Sequence, residues 1–282
     1  MSSSEAYPFQ SSDSERERLI AQSRMLAPMT ERLFKRAGIA AGMRVLDIGS
    51  GSGDVAMLAA KLVGPEGDVI GIDRDRAQVE YARQRAITHG FSNVHFMHAD
   101  MDSVELDEPV DAIVGRLALM YVNDPAEALR NCVGNLRAGG IVALVESVID
   151  YDAPAFITPR TCLAARAVEW FTAGFRYSNV QPRMGLRLFS VMREAGLEPS
   201  IDMDMMVPVQ QGPDGELFPI LVAVVRSQLN AILASGIATE ADIDVDTLER
   251  RMVADSPPGG VVGYFHAGHV GVWARLGSMP HH

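Results

Sequence analysis

Residues 45–54 of this chain read VLDIGSGSGD, and this stretch decides the fold. An apolar run that contains Asp47 is followed by glycines at every second position, Gly49, Gly51 and Gly53. Because glycine accepts positive φ and has no Cβ, such a turn lets the backbone come close to a ligand. The segment up to Val63 predicts a helix, whose N-terminal N–H groups and positive dipole end face the same place. The stretch therefore predicts a strand, a glycine turn and a helix that bind a nucleotide-like molecule.

The residues around this turn alternate between strand and helix patterns. Five apolar segments predict strands, at Arg44–Ile48, Asp68–Ile72, Val94–Met97, Val110–Val114 and Ile141–Glu146. Helix patterns lie between them, and this alternation predicts an α/β fold with a doubly wound, mostly parallel sheet. Ahead of the first strand, apolar residues at helical spacing predict two helices joined at Pro28.

Three parts of the chain are expected to differ in role, because the alternation stops after Glu146. Residues 1–13 are polar and rich in Ser, and we expect a disordered or loose N-terminus. Residues 14–147 are expected to form N-terminal helices and the ligand-binding α/β core. Residues 148–282 are expected to form a helical substrate cover and the last two strands of the sheet. The aromatic and Met side chains of the cover are more often ordinary core than pocket wall.

The composition excludes several classes of function. The chain of 282 residues has a formal net charge of −11 and no cluster of Lys and Arg, which argues against a nucleic acid as partner. Its two cysteines, Cys132 and Cys162, have neither CxxC spacing nor clustered His, so no metal site is expected. No segment approaches the ~20 apolar residues of a membrane span. We therefore expect a cytoplasmic protein that acts on a small molecule, away from membranes.

The spacing of the glycines distinguishes between cofactors. The dinucleotide fingerprint GxGxxG requires glycine at the position of Asp54. The pattern found instead, DxGxGxG, resembles the first motif of class I S-adenosylmethionine-dependent methyltransferases, and the likeness covers about residues 40–147. The segments ERLIAQ (17–22) and VWAR (272–275) resemble small-molecule methyltransferases of bacterial biosynthetic pathways. The resemblance implies S-adenosyl-L-methionine as cofactor and a Rossmann-like, seven-stranded sheet with helical lid insertions.

Candidate cofactor ligands stand at the carboxyl ends of the strands, where open parallel sheets bind ligands. Asp73 is expected to accept hydrogen bonds from both ribose hydroxyls, with a helix cap as the alternative. Asp100 is expected at the adenine amine and Met101 on the adenine ring, with a solvated loop acid as the alternative for Asp100. Arg116 has three open roles: a contact to the cofactor carboxylate, a contact to substrate, or a bridge to a surface acid.

The leading helix closes over the cofactor in the group that the chain resembles, which implies that Gln22 lies near the methionine end. The complete set of expected cofactor-binding residues is Asp47, Gly49, Ser50, Gly51, Gly53, Asp73, Arg74, Asp100, Met101, Arg116 and Gln22.

Catalysis by such an enzyme depends mainly on positioning in a desolvated pocket, because the sulfonium is already a good leaving group. A phenol, enol or carbon acid would also need a general base. The candidates are Glu146 at the end of the fifth strand and His266 and His269 on the last strand, with His95 and His98 near the third strand. Glu146 has a cap on the next turn as its alternative role. His266 and His269 fall on opposite faces of a regular strand.

The sequence leaves three functions to compare. The first is methyl transfer to an oxygen, nitrogen or carbon atom of a small molecule in a biosynthetic pathway. The second is a methyltransferase-like protein that binds the cofactor without methyl transfer, as a sensor, partner subunit or non-methylating catalyst. The third, a nicotinamide-dependent dehydrogenase, is disfavoured by the missing third fingerprint glycine. A homodimer is open, because the apolar segment Leu217–Leu233 suits an interface as well as a lid.

Overall fold

The computed structural model describes residues 13–149, 157–158, 162–178, 180–201, 204–206, 209–211, 217–256, 262–264 and 267–277. Contacts between residues divide the chain into two compact units. The first, here the sheet unit, comprises Ser23–Ser147, Arg183–Met206 and His269–His282. The second, here the helical unit, comprises Met1–Gln22, Val148–Pro182 and Val207–Gly268. The role of residues 148–282 as a substrate cover stays a prediction.

Helices and strands alternate through the first half of the chain. The described helices are α1 (Asp13–Ala37), α2 (Asp54–Val63), α3 (Arg76–Thr88), α4 (Pro125–Val133), α5 (Leu163–Tyr177), α6 (Met184–Glu194), α7 (Leu217–Ser227), α8 (Leu229–Ser235), α9 (Glu240–Ile243) and α10 (Leu248–Ala254), with a 3₁₀ turn at Leu119–Tyr121. The described strands are β1 (Arg44–Ile48), β2 (Asp68–Asp73), β3 (Val94–His98), β4 (Val110–Arg116), β5 (Leu136–Ile149), β6 (Ile157–Thr158), β7 (Leu197–Pro199), β8 (Asp204–Met206), β9 (Val209–Gln211), β10 (Val262–Tyr264) and β11 (Ala267–Leu276).

The main sheet has the strand order β3-β2-β1-β4-β5-β11-β7, and β8 pairs with β11 beside this path. Strands β3, β2, β1, β4 and β5 run parallel, while β7 and β8 run antiparallel to β11. The expected α/β fold with a mostly parallel, seven-stranded sheet is thus confirmed, and the short β8 is an additional strand. The strand order reverses between β1 and β4, so the carboxyl ends of these two strands flank the place where such sheets bind ligands.

Small side chains allow α2 to lie close to the sheet. Ala56, Ala59 and Ala60 are at most 3% exposed and belong to one apolar cluster with Val45 of β1 and Ala112 of β4. Because these side chains are short, the helix axis can approach the strands without a void between them. This packing fixes the start of α2, and with it the turn that joins β1 to α2.

Helix α1 is continuous through Pro28, so the predicted break at this residue is wrong. Proline within a helix costs about 3 kcal/mol through a lost hydrogen bond and a steric clash. Pro28 is exposed, whereas Met29, Leu33 and Phe34, which follow it, are at most 1% exposed. Burial of each such side chain is worth roughly 1.5–3 kcal/mol, so packing on the sheet unit outweighs the cost of the proline.

The helical unit has its own core. Helix α5 packs on α7 and α8, and the rings of Phe171 and Phe175 meet edge to face with centroids 5.7 Å apart. Gly174 allows a close approach, because a Cβ there would stand 3.0 Å from Ile232 Cγ1. Trp170 is also buried, so these aromatic side chains are core residues of their own unit. A separate antiparallel sheet with the order β6-β10-β9 completes the described part of this unit.

Among the described residues, no single helix has the length and apolar character that a membrane span requires. The pair Phe218–Ser227 and Leu229–Ser235, bent by 68°, passes that test of length and composition only when taken together.

Candidate cofactor site

The glycine turn between β1 and α2 has the backbone conformation that its sequence predicts. Gly49, Gly51 and Gly53 have φ angles of +64°, +50° and +83°, in the left-handed region that favours glycine. A Cβ on Gly49 would stand 2.7 Å from Ala118 Cβ, and one on Gly53 would stand 2.7 Å from Phe96 Cζ. These two positions therefore need glycine for space as well as for backbone conformation.

Asp73 closes the glycine turn from the end of β2. Its Oδ2 accepts the Gly51 N–H at 2.8 Å, and its Oδ1 accepts the Asp75 N–H at 2.8 Å. Burial raises the pKa of this carboxyl, and the two N–H donors oppose that rise. Helix α3 is capped by Asp75, whose side chain accepts the Ala77 N–H. Asp73 is therefore not the cap of α3, and each of its oxygens keeps a second acceptor position for a ligand.

Arg85 on α3, which is not among the residues expected from the sequence, holds the start of α2. The guanidinium makes two parallel hydrogen bonds to Asp54, at 3.0 and 2.9 Å, and also donates to the carbonyl of Ser52. Both side chains of the ion pair are at least four-fifths buried, at 13% and 17% exposure. Bidentate Arg–carboxylate pairs fix geometry as well as energy. No local pattern in the sequence marks this contact, because the two residues are 31 positions apart.

Asp47 on β1 is fully buried, and neither carboxylate oxygen has a hydrogen-bond partner of normal geometry among the described residues. Burial raises the pKa of Asp47 well above its usual range, and the Arg116 guanidinium opposes the rise by electrostatic attraction. The Ala56 N–H on α2 also opposes it, although it does not meet hydrogen-bond geometry. A buried carboxylate without a partner is costly, so a ligand that donates hydrogen bonds or carries a positive charge is favoured here.

Arg116 at the end of β4 is held by two hydroxyl groups of α1. Its Nη2 donates to Ser23 Oγ at 2.7 Å, and its Nη1 donates to Thr30 Oγ1 at 3.3 Å. Burial lowers the pKa of the guanidinium, and Asp54 and Asp47 oppose this through their negative charges. These contacts place a cation close to the glycine turn. Ser23 and Thr30, which hold it there, are not among the residues expected from the sequence.

The turn after β4 is strained and is held by β5. Leu117 has a φ of +57°, which is uncommon for a side chain of this size. Its N–H donates to the Val145 carbonyl at 2.8 Å, and Glu146 Oε1 accepts the N–H groups of Ala118 and Leu119 at 3.0 and 2.7 Å. Burial raises the pKa of Glu146 to about 7, and the N–H donors oppose that rise. The second oxygen, Oε2, has no hydrogen-bond partner among the described residues.

Ser50 and the end of β3 complete the predicted set within the sheet unit. The Ser50 N–H donates to the Ile72 carbonyl at 2.8 Å, so the turn is tied to β2 at a second point. Asp100 is exposed and its Oδ1 accepts the Asp102 N–H at 3.2 Å, while Met101 is half-buried. The Ala99 N–H donates to the Asp73 carbonyl at 3.2 Å, which brings this loop next to the end of β2. Arg74 is exposed, and its carbonyl lies 3.0 Å from His98 Nε2.

The other predicted residues have different surroundings. Gln22 is half-buried on α1 and belongs to the helical unit, so its place beside the cofactor stays a prediction. His269 is 1% exposed on β11, where it pairs with Met206 of β8. His266 lies outside the described residues. His95 is exposed, with Nε2 3.5 Å from Asp68 Oδ1.

The residues present fit the cofactor that the resemblance implies. The Asp47 carboxylate has no hydrogen-bond partner in the described ranges and suits the ammonium group of the methionine part. Each oxygen of Asp73 keeps an acceptor position for a ribose diol. Gly49 and Gly53 leave no room for side chains in the turn, because Ala118 and Phe96 already fill that space. The arrangement can therefore bind a cationic nucleoside at the carboxyl ends of β1, β2 and β4.

Comparison with known proteins gives a family for this arrangement. The family model described as "Methyltransferase domain" matches residues 39–181, which is half of the chain. A curated relative, the ubiquinone/menaquinone biosynthesis C-methyltransferase UbiE of Pseudomonas putida, is 30% identical over 151 residues. The match covers 51% of this chain and 56% of that protein, so the chain spans about half the length of the curated relatives it matches.

Two solved structures show the same fold at low identity. The [4+2]-cyclase SpnF has a TM-score of 0.54 and 19% identity, and the match covers 90% of this chain and 81% of that one. A geranyl diphosphate methyltransferase in complex with SAM has a TM-score of 0.53 and 18% identity, and the match covers 93% of this chain and 90% of that one. At these identities the likeness is one of fold alone.

Proposed function

The chain belongs to the family of methyltransferase domains, and from this premise we propose that it transfers a methyl group from S-adenosylmethionine to a small molecule. The acceptor atom is an oxygen, nitrogen or carbon nucleophile. The observation that carries the proposal is the glycine turn at the reversal of the strand order, closed by the Asp73 carboxylate through the Gly51 N–H at 2.8 Å. Family membership and this geometry support the same ligand.

Each polar group of the site has a separate part in holding the cofactor. Asp73 binds the ribose hydroxyls, and Asp47 balances the positive charge of the methionine part. Arg116 is proposed to pair with the cofactor carboxylate, because its guanidinium is already held near Asp47 and Asp54 by Ser23 and Thr30. Asp100 and Met101 are proposed for the adenine end, because they follow the carboxyl end of β3. Gln22 is proposed for the methionine end as the resemblance implies.

The bound cofactor supplies a methyl group on a sulfonium, which is a good leaving group without help from the protein. The residues of the chain therefore have to orient the reactants and exclude water. Alignment of two reactants can contribute several kcal/mol to the rate, up to ~7–11 kcal/mol in ideal systems. The rigid ties of the glycine turn, to Asp73, to Ile72 and through Asp54 to Arg85, serve this alignment. Substitution of His269 by Asn tests whether a general base is also used.

A second candidate function is cofactor binding without methyl transfer. It is favoured by one specific observation, the likeness in fold to a protein described as a [4+2]-cyclase. Both candidates retain the glycine turn, Asp47 and Asp73, so these residues do not separate them.

Mass spectrometry with S-adenosylmethionine that carries a deuterated methyl group separates the two candidates. The purified protein is incubated with panels of phenols, quinols, amines and enolisable carbon acids, and labelled products are sought together with S-adenosylhomocysteine. A labelled product that needs Asp73 supports the transferase. Micromolar binding of the cofactor by calorimetry, with no labelled product across the panels, would refute methyl transfer and leave the second candidate.

A cytoplasmic location and assembly as a homodimer are also part of the proposal. Cell fractionation tests the first, and the mass measured by light scattering on a sizing column tests the second.

A further inference from the structure

Glu146 lies three residues before the end of β5 and is a buried acidic group that the proposed cofactor contacts do not use. Its side chain is 1% exposed. Its Oε1 accepts the N–H groups of Ala118 and Leu119 at 3.0 and 2.7 Å. These donors belong to the turn that leaves β4, so the carboxylate ties one strand end to the neighbouring one.

The turn needs such a tie because its first residue is strained. Leu117 has a φ of +57°, and an L-residue with a large side chain adopts this conformation only where the surroundings enforce it. Its N–H donates to the Val145 carbonyl at 2.8 Å. Three successive N–H groups, those of residues 117, 118 and 119, therefore all donate to residues 145 and 146. The side chain of Glu146 receives two of these three bonds.

The same turn touches the glycine turn directly. A Cβ on Gly49 would stand 2.7 Å from Ala118 Cβ, so Ala118 lies against the backbone of the first glycine. Any outward movement of Ala118 would remove this support, and any inward movement would displace Gly49. The position of the glycine turn thus depends on the turn after β4.

We propose that Glu146 is a positioning residue, whose side chain holds residues 117–121 against Gly49 and so sets the affinity of the glycine turn for the cofactor. The proposal rests on the proposed function for the identity of the ligand, while the tie between Glu146 and the turn can be tested without any ligand. It assigns Glu146 a role through other residues and not through the reacting atoms.

Three variants test the proposal. Glu146→Ala removes the acceptor of both N–H groups, whereas Glu146→Gln keeps an oxygen that can accept them. The control is Asp111→Ala, because Asp111 Oδ2 likewise accepts a backbone N–H, that of Arg44 at 2.7 Å, but at the opposite edge of the sheet. Should Glu146→Ala fail to fold, Glu146→Asp replaces it, since the shorter side chain cannot reach both N–H groups.

The first measurement is hydrogen exchange of residues 117–121 without ligand. We expect the amides of these residues to exchange at least about tenfold faster in Glu146→Ala than in the wild type, and at nearly the wild-type rate in Glu146→Gln.

The second measurement is calorimetry with S-adenosylmethionine and S-adenosylhomocysteine. We expect a rise in Kd on the order of tenfold for Glu146→Ala, recovery for Glu146→Gln, and no more than about a twofold change for Asp111→Ala. In kinetic assays we expect the KM of Glu146→Ala for the cofactor to rise while its kcat changes little.

Two results would overturn the inference. One is unchanged exchange or unchanged Kd in a folded Glu146→Ala protein. The other is an equal loss of affinity in Asp111→Ala, which would mean that general destabilisation explains the effect. If the wild type does not bind either ligand, the proposed function is refuted, and the exchange measurement still decides whether Glu146 holds the turn.

Discussion

The replacement of Glu146 by Gln should change how the stability of the fold depends on pH. Burial raises the pKa of Glu146 from an ordinary value of 4.5 to about 7. Gln resembles the neutral carboxyl in shape and keeps an oxygen for the N–H groups of Ala118 and Leu119. The variant therefore removes the titration of this group while the hydrogen bonds to the turn remain.

The direction in which stability changes with pH follows from the number of protons bound in the folded and the unfolded state. Between pH 4.5 and 7 the folded protein holds a proton on Glu146 that the unfolded chain has lost. The contribution of Glu146 protonation to the free energy of unfolding is fully present below the pKa of the unfolded chain. It is lost as the pH rises through the pKa of the folded protein. At about 1.4 kcal/mol per pH unit, the whole interval corresponds to about 3 kcal/mol. Between pH 5.5 and pH 8 the expected loss is about 2 kcal/mol.

The assay is urea unfolding of the wild type and Glu146→Gln at a series of pH values between about 5.5 and 8. Buried groups such as Asp47 and Asp73 titrate in both proteins, so their effects cancel in the difference. We expect the free energy of unfolding of the wild type to fall relative to the variant by about 2 kcal/mol over this range. Burial of the Gln amide has a cost in stability that does not depend on pH. This cost shifts the plot of unfolding free energy against pH for the variant without changing its slope.

A difference between the two proteins that stays constant with pH would refute this reasoning. It would mean that the carboxylate of Glu146 is as well stabilised in the fold as in water. A difference that changes in the opposite direction would mean that the two N–H donors stabilise the carboxylate more than burial destabilises it.

The remaining predictions concern the ties of the glycine turn. Asp73→Ala should weaken cofactor binding by roughly 1.5–3 kcal/mol in calorimetry, since a charge-assisted contact is lost; unchanged affinity in a folded variant would exclude Asp73 as a ligand. Gly53→Ala should destabilise the fold more than Gly42→Ala in urea unfolding. Both glycines have positive φ, +83° and +80°, but only at Gly53 would a Cβ meet Phe96, at 2.7 Å; equal losses would refute the steric argument. Arg85→Lys should cost on the order of 1 kcal/mol of stability, because an ammonium cannot replace the bidentate pair; thermal unfolding with no loss would contradict it.

Local patterns sufficed to predict the parallel part of the sheet and the glycine turn. The strands β1, β2 and β4 are mostly apolar segments, with Asp47 inside β1 and Asp111 inside β4, and each ends at or just before a polar or glycine residue. This pattern depends only on neighbours in the chain. The conformation of Gly49, Gly51 and Gly53 was predictable for the same reason, since few other residues adopt positive φ. The position of Asp73 beside the glycine turn was predictable because strand ends in such sheets converge on one edge, whereas its role as a ligand stays a prediction.

Contacts between distant parts of the chain were not predictable in this way. The pairs of Arg85 with Asp54 and of Arg116 with Ser23 join residues 31 and 93 positions apart, and nothing near either residue marks its partner. The wrong break at Pro28 has a related cause. The local cost of proline was visible in the sequence, whereas the packing of Met29 and Phe34 that outweighs it becomes visible only in the fold.

Asp47 has a consequence for any attempt to make this protein more robust. A buried carboxylate whose oxygens have no partner in the described part of the chain lowers the stability of the fold, so its replacement by Asn or an apolar residue should raise stability in a screen. The same replacement would remove the group that is proposed to balance a cationic ligand. Selection for heat resistance alone would therefore favour the replacement of Asp47, at the expense of the proposed binding of the cofactor. At this position, a gain in stability and the retention of activity oppose each other.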